Sequence, residues 1–335
     1  MTGLFAALLA RLKHPVDTNP ETERALERAI KWIGPQLYSA SSLYTRLETP
    51  LRIALDHCES LVDALPPETE LTPAAVASDP LVHALFPSTD MLTEVIGSSR
   101  HVRNFVKAPV DTATGRVPEE LRALLAVRLR RKNVFGVALS GNMLQHDVAQ
   151  SLLNFSGHLI AQLATSEVQA RVRMRDAAID SLLASFAGHV HSLRDELGSL
   201  QVERGMEHTH VALLRQQQHD DRLPPHARRI EELNQRLAQD IAELQPDHLV
   251  DTLADHLSHP ERALRLNPVH LRTLRNGVIL PEHAPHDEDE IVLDLTELAS
   301  RDRRRHVVLP VRFPLEFARE AVARTDHLNS RYMLL

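Results

Sequence analysis

A single cysteine, Cys58, in 335 residues leaves no intrachain disulfide and no multi-cysteine metal centre for one chain to build. Cys58 stands among Leu55, Leu61 and Val62 at helical spacing, which reads as a buried, inert thiol rather than a nucleophile. Aromatic residues make up only 4% of the chain, so cores and interfaces must rely on Leu, Val, Ile and Ala, as helical bundles do. The 11 glycines include no GxxxxGK and no GxGxxG arrangement, which removes the common phosphate-cradling loops. A GxSxG elbow and an HExxH helix are missing as well. No apolar run approaches the roughly 18 to 20 residues that span a bilayer. Arg11 and Lys13 follow the first apolar stretch rather than precede it, and no small-residue cleavage site appears, so export by the general route is not expected.

What remains is ordinary for a folded protein: 43% hydrophobic and 25% charged residues, which argues against global disorder. A formal net charge of −7 argues against coating nucleic acid through bulk electrostatics. The expectation is a cytoplasmic protein, or one peripheral to the inner face of a membrane.

The first residues suggest an amphipathic helix capped by Thr2, with Leu4, Phe5, Leu8, Leu9 and Leu12 on one side. That face would dock on the core, meet a partner or lie on a membrane surface, and the core is the preferred reading because two cations are few for an interfacial helix. Asn19-Pro20 then opens a helix with Glu21 and Glu23 in its first turn, ended by Gly34-Pro35. A longer helix from about Ser41 to Leu65 contains Pro50, which should kink or divide it. Short helices begin at Thr72-Pro73, Ser78-Asp79-Pro80 and Ser88-Thr89-Asp90. Residues 1–107 thus read as an N-terminal helical unit.

Alternation then replaces helical spacing. Leu125, Val127 and Leu129, followed by Phe135, Val137 and Leu139, suggest two strands joined near Lys132-Asn133, with helix an alternative for Pro118 to Ala126. From Asp147, Val148, Leu152, Leu153, Phe155 and Leu159 return to helical spacing. Beyond Pro260, Leu264 to Leu271, Asn276-Gly277 with Val278 to Leu280, Ile291 to Leu295 and Val307 to Phe313 give further strand signals. A helix from about Leu315 to His327 closes the pattern.

Between these strands lies a heptad-patterned stretch. Ile179, Leu182, Phe186, Val190, Leu193, Leu197 and Leu200 form one seam, and Ala227, Ile230, Leu233, Leu237, Ile241 and Leu244 form a second. Pro224-Pro225 mark a reversal between them, because two prolines do not fit inside a helix. The expected architecture is α+β and predominantly α. An N-terminal helical unit precedes a small, mostly antiparallel sheet domain (118–165 and 260–335) interrupted by a long antiparallel coiled-coil arm (166–259). The arm's first helix, from about Ser166 to His219, would be roughly 80 Å long.

Candidate chemistry is sparse. Among 20 histidines, His189 with His191 and His208 with His210 are spaced i, i+2, which turns their rings about 200° apart on a helix and is wrong for a helical metal pair. Counting back from the prolines brings His189 and His191 near Asp255 and His256, with His259 close by, and solvated helix-face histidines are the preferred reading of all of them. Arg128, Arg130, Arg131 and Lys132, together with Arg301, Arg303, Arg304 and Arg305, would form a positive patch for phosphates or an acidic partner if both loops share one end of the sheet. Without interleaved aromatics they do not suggest single-strand stacking. Solvated turns, paired with the acidic run Asp287, Glu288, Asp289 and Glu290, are the preferred reading. No catalytic residue, metal ligand or cofactor site is assigned. The expected function is a non-enzymatic scaffold or adaptor that self-associates as a homodimer or higher oligomer and binds another protein through its arm. A peripheral membrane protein and a regulatory nucleic-acid or nucleotide binder are the alternatives, with nucleic acid disfavoured by charge.

Overall fold

The computed structural model describes residues 19–108, 118–140, 143–217, 223–281, 283, 286, 289–300 and 305–332. In chain order the elements are α1 (Pro20–Ile33), a 3-10 turn (Pro35–Ser39), α2 (Leu43–Asp63), β1 (Thr69–Glu70), α3 (Pro73–Ser78), α4 (Pro80–Leu85), α5 (Thr89–Ser98) and α6 (Arg100–Lys107). They continue with β2 (Glu120–Ser140), β3 (Met143–Ala164), α7 (Glu167–Gln216), α8 (Leu223–Glu243) and α9 (Pro246–Ser258). The chain then forms β4 (Leu264–Leu274), β5 (Val278–Ile279), β6 (Glu290–Ser300), β7 (Arg305–Pro314) and α10 (Leu315–Tyr332). These fall into a helical unit, the chain through Ala54 with Phe186–Ser258, and a barrel unit, Leu55–Ser185 with His259–Leu335. Of the three boundaries, those after Ala54 and Ser185 lie inside helices, α2 and α7, and the third follows the last residue of α9.

In the helical unit, the Asn19 carboxamide accepts the Glu21 N–H at 3.0 Å and Pro20 takes the first helical position, where a missing N–H costs nothing. The apolar face of α1 buries Ala25, Leu26, Ala29, Ile30 and Ile33. Arg46 on α2 ties to α9 through Asp247 at 2.7 Å and Asp251 at 2.5 Å. The Ser41 hydroxyl and N–H also donate to Asp247, and these bonds together with Arg46 hold its carboxyl below the usual carboxylate range. Helix α2 runs on through Pro50 without dividing.

The barrel unit closes on itself. Strands β2, β3, β5, β4, β6 and β7 pair in that order, and β7 returns to β2, every pairing antiparallel. The β6–β7 join is short, Glu297↔Val307 to Ala299↔Arg305, and β1 pairs in parallel with β7 at Val311 and Arg312. At the other seal, two-residue β5 meets Ser151 and Leu152 of β3, supported by the Leu153 N–H donating to the Gly277 carbonyl at 2.8 Å. Closure removes the open sheet edges that would otherwise invite strand addition. Alternate residues of β2 (Leu121, Ala123, Leu125 and Val127) join Phe155, Leu293, Leu295, Leu309, Val311 and Phe313 in one apolar core. Helices α3 to α6 and α10 contribute Val76, Leu85, Phe86, Leu92, Ile96, Val102, Ala318 and Val322 to the same core.

This corrects the expected fold. The α+β description with a small open sheet gives way to a closed six-stranded antiparallel barrel. The helices of the first hundred residues do not form one N-terminal unit, since α3 to α6 are built into the barrel's core. The misreading lies mainly in β3. Its pairing with β2 shifts register between Arg122 and Leu124, Ala126 and Arg128, and Gly136 and Ala138. At each shift β3 carries one extra residue, and each contains a residue with positive φ: Gln162 (55°), Gly157 (65°) and Asp147 (58°). Such bulges bend and twist a strand, which helps a sheet to curl shut. The bulge at Gly157 puts Leu159 out of phase with Phe155, and Leu152 and Leu153 place apolar side chains on both faces of the unbroken stretch before it, so Val148, Leu152, Leu153, Phe155 and Leu159 mimic helical spacing. Strand β2 runs past Lys132-Asn133, the expected turn, to Ser140.

Candidate functional site

Barrel strands β2 and β3 outrun their neighbours. Past Val127, β2 loses its partner β7 and continues paired with β3 alone, and beyond Asn133, where β3 has left β5, the two strands form a ribbon. Arg128, Arg130, Arg131 and Lys132 are exposed on β2. Alternation puts Arg128, Arg130 and Lys132 on one face and Arg131 on the other, the latter shared with Phe135, which is 79% exposed. Arg128 reaches β7, donating to His306 at 3.3 Å, so the structure brings one arginine of the first cluster to the start of the last strand. Arg305 pairs with Glu297 at 3.7 Å, while Arg301, Arg303 and Arg304 lie outside the described residues. The acids set against these clusters pair elsewhere: Glu290 with Arg272 at 2.5 Å and Asp289 with Arg275 at 3.4 Å. Asp287 and Glu288 are outside the described residues, as are Leu4, Phe5, Leu8, Leu9 and Leu12.

Buried Cys58 and half-buried His158 of the barrel unit are structural. Burial pushes the Cys58 thiol up to about 12, so almost no thiolate exists near neutrality. His158 donates from Nε2 to the Leu85 carbonyl at 2.9 Å and lies against Phe86, with ring centroids 4.9 Å apart. Burial lowers its pKa, outweighing that hydrogen bond. A histidine depressed in the fold contributes stability above its unfolded value, about 6.5, which is lost as pH falls through the lower folded value. Urea unfolding of the barrel unit should therefore weaken on acidification below about pH 6.5, and more in the wild type than in His158→Asn. Parallel pH profiles for the two proteins would sink this assignment. A cleft of about 250 Å³ beside Met174 is lined by three acids, of which Asp63 is engaged by Arg171 and Glu68 by Arg122.

The richer arrangement is in the helical unit, where α7 and α8 run antiparallel. Glu196 pairs with Arg236 at 2.8 Å, Glu203 with Arg229 at 2.5 Å, and Glu207 with His226 at 2.6 Å. Each step along α7 is matched by a step back along α8, which fixes the register. Exposed pairs of this kind contribute only about 0.2 to 1 kcal/mol each, so they align the helices more than they stabilise them. Leu200, Leu233 and Leu237 are buried together, with Leu197 packed on them.

The other seam residues divide. Ile179, Leu182, Phe186 and Val190 are buried, and within the helical unit Phe186 rests on His256 of α9 at 5.5 Å. Leu193, Ile230 and Leu244 are half-buried, and Ile241 is 46% exposed. Pro224 and Pro225 do not form the reversal itself. They sit in the first turn of α8, where the helix needs no N–H from them.

A cluster that the histidine spacing missed sits where α7 nears its end. Glu207 and His210 are three apart on α7 and share a flank, and His226 faces them from α8. The ligating atoms of the three lie within 4.8 Å of one another. The rings of His210 and His226 are 5.8 Å apart at 69°. Attention to i, i+2 histidine pairs hid an i, i+3 glutamate and histidine completed across the turn. Among the described residues it is this set, not the one around His189 and His191, that comes together in metal-ligand geometry.

No family model, curated protein or solved structure matches the chain.

One more surface belongs to α7. Val202, Met206 and Leu213 are 59%, 60% and 47% exposed. Their spacing of 4 and 7 gathers them on one side, turned roughly 120° from the side that meets α8. Gly198 and Gly205 flank that stripe, and an added Cβ at either would meet nothing within 4 Å.

Proposed function

We propose that this protein is a non-enzymatic scaffold that self-associates through the outer face of α7, and that the occupant of that face is α7 of a second copy. The observation that supports it is the pairing of an exposed apolar stripe with bare glycines. Each glycine costs a helix about 1 kcal/mol relative to alanine, yet no packing among the described residues requires Gly198 or Gly205. A close helix-to-helix approach does require small residues, and Val202, Met206 and Leu213 supply the apolar area between them. An isologous pairing about a two-fold axis lets the same stripe serve both copies. The barrel's apolar filling and the unreactive Cys58 fit a supporting rather than a catalytic body. No helix among the described residues is long and apolar enough to cross a membrane.

Sedimentation of the full chain tests this. The wild type should be dimeric at micromolar concentration, and Gly198→Leu with Gly205→Leu should make it monomeric. Because leucine raises helix propensity at both positions, loss of the dimer cannot be laid to unfolding. A monomeric wild type, or a dimer indifferent to these changes and to Met206→Glu, would overturn the proposal.

A further inference from the structure

We infer that Glu207, His210 and His226 form a binding site for one divalent ion of the zinc class, clipping α7 to α8 beside the turn between them. The inference does not depend on self-association. Two imidazole nitrogens and one carboxylate oxygen suit a borderline transition metal. Calcium and magnesium prefer oxygen-only shells. Three protein ligands leave a fourth position open to water, as in zinc sites with two histidines and a glutamate.

The geometry is already close. The donors lie within 4.8 Å of one another, and Glu207 Oε2 is 2.6 Å from His226 Nδ1. Ligands about 2.1 Å from a tetrahedral ion sit about 3.4 Å apart, a gap that side-chain rotation can close without moving either helix. The nearby Arg229 is engaged by other acids, Glu203 at 2.5 Å and Glu232 at 3.2 Å. His210 is exposed, so an ion reaches the site from solvent without any opening of the fold. Glu207 and His226 are half-buried, which limits their rotamer freedom and prepares the pair for binding.

The consequence is mechanical. Of the ion pairs across the helix pair, Glu207 with His226 is the one at the first turn of α8. A coordinate link at that position replaces one half-buried hydrogen bond with three metal bonds spanning both helices.

Calorimetric titration of the full chain with zinc chloride is the test. The wild type should bind one ion per chain with roughly micromolar affinity, unaffected by millimolar magnesium. His210→Ala and Glu207→Gln should each weaken that event by about tenfold or more, as loss of a ligand requires. His208→Ala, on another side of α7, should leave it unchanged and so separates this site from the remaining histidines. Hydrogen exchange gives a second readout: zinc should slow exchange at residues 226–230 in the wild type and leave His210→Ala as it was. Absence of binding at 0.1 mM zinc, or His210→Ala and Glu207→Gln titrating as the wild type does, would refute the site. His210 is exposed and its removal does not threaten the fold, so neither result can be blamed on misfolding.

Discussion

Phe313→Ala is expected to destabilise the barrel unit by about 4 kcal/mol, whereas Phe135→Ala should change stability by less than about 0.5 kcal/mol. The chemistry removed is the same in both. Phe313 is fully buried on β7, paired in register with Leu121 of β2, and belongs to the core shared by barrel and flanking helices. Truncation loses the transfer energy of a ring and leaves a cavity that cannot collapse, because the wall around it is a closed ring of hydrogen-bonded strands. Phe135 is 79% exposed on the ribbon, where the ring already faces water. The probe matters: Trp32, the chain's one tryptophan, lies in the helical unit, so its fluorescence reports on the wrong body. Amide hydrogen exchange on β2 and β7 is the appropriate measurement. Equal losses for the two variants would mean that the barrel interior is not the stabilising core.

The short helices at Pro73, Pro80 and Thr89 could be located from the chain because their start signals are local. Thr72, Asp79 and Ser88 accept the N–H groups of Ala75, of Leu81 and Val82, and of Met91. Asn276-Gly277 behaves likewise: the Asn276 side chain accepts the Val278 N–H at 3.1 Å, and Gly277 takes a φ of 82°. Closure of the barrel depends instead on partners far apart in sequence, such as Glu297 with Val307 across the last loop and Ser151 with Ile279 across α7 to α9. No periodicity records such pairings. Strand β3 was hidden for a different reason, since bulges at Asp147, Gly157 and Gln162 disturb the alternation on which recognition of a strand depends. The Glu207, His210 and His226 cluster needed the true turn position, and placing the reversal at Pro224-Pro225 rather than before them put the wrong histidines opposite one another.

Gly97→Ala is expected to cost the barrel unit about 3 kcal/mol, while Gly188→Ala should add up to about 1 kcal/mol of stability to its helix. Gly97 is buried in α5, and a methyl group there would collide with the Ala321 carbonyl and the Thr325 hydroxyl of α10. The Thr325 hydroxyl donates to that same carbonyl at 2.9 Å, so the obstruction includes backbone and a side chain already fixed in place. Sliding α10 aside is also opposed. Asp326 is held by Arg103 at 2.5 Å and Lys107 at 2.6 Å, and Arg324 pairs with Asp90 at 2.8 Å, so the helix is fastened to α5 and α6 on both sides of the contact. Those bonds also keep the Asp326 carboxyl below the usual range, so their contribution persists at neutral pH and fades only as pH falls through that lowered value. At Gly188 an added methyl group meets nothing within 4 Å, leaving only the gain in helix propensity. Hydrogen exchange of α10 and of α7 reads the two effects separately. Opposite signs are the expected outcome, and a neutral Gly97→Ala would mean that α5 and α10 do not approach backbone to backbone.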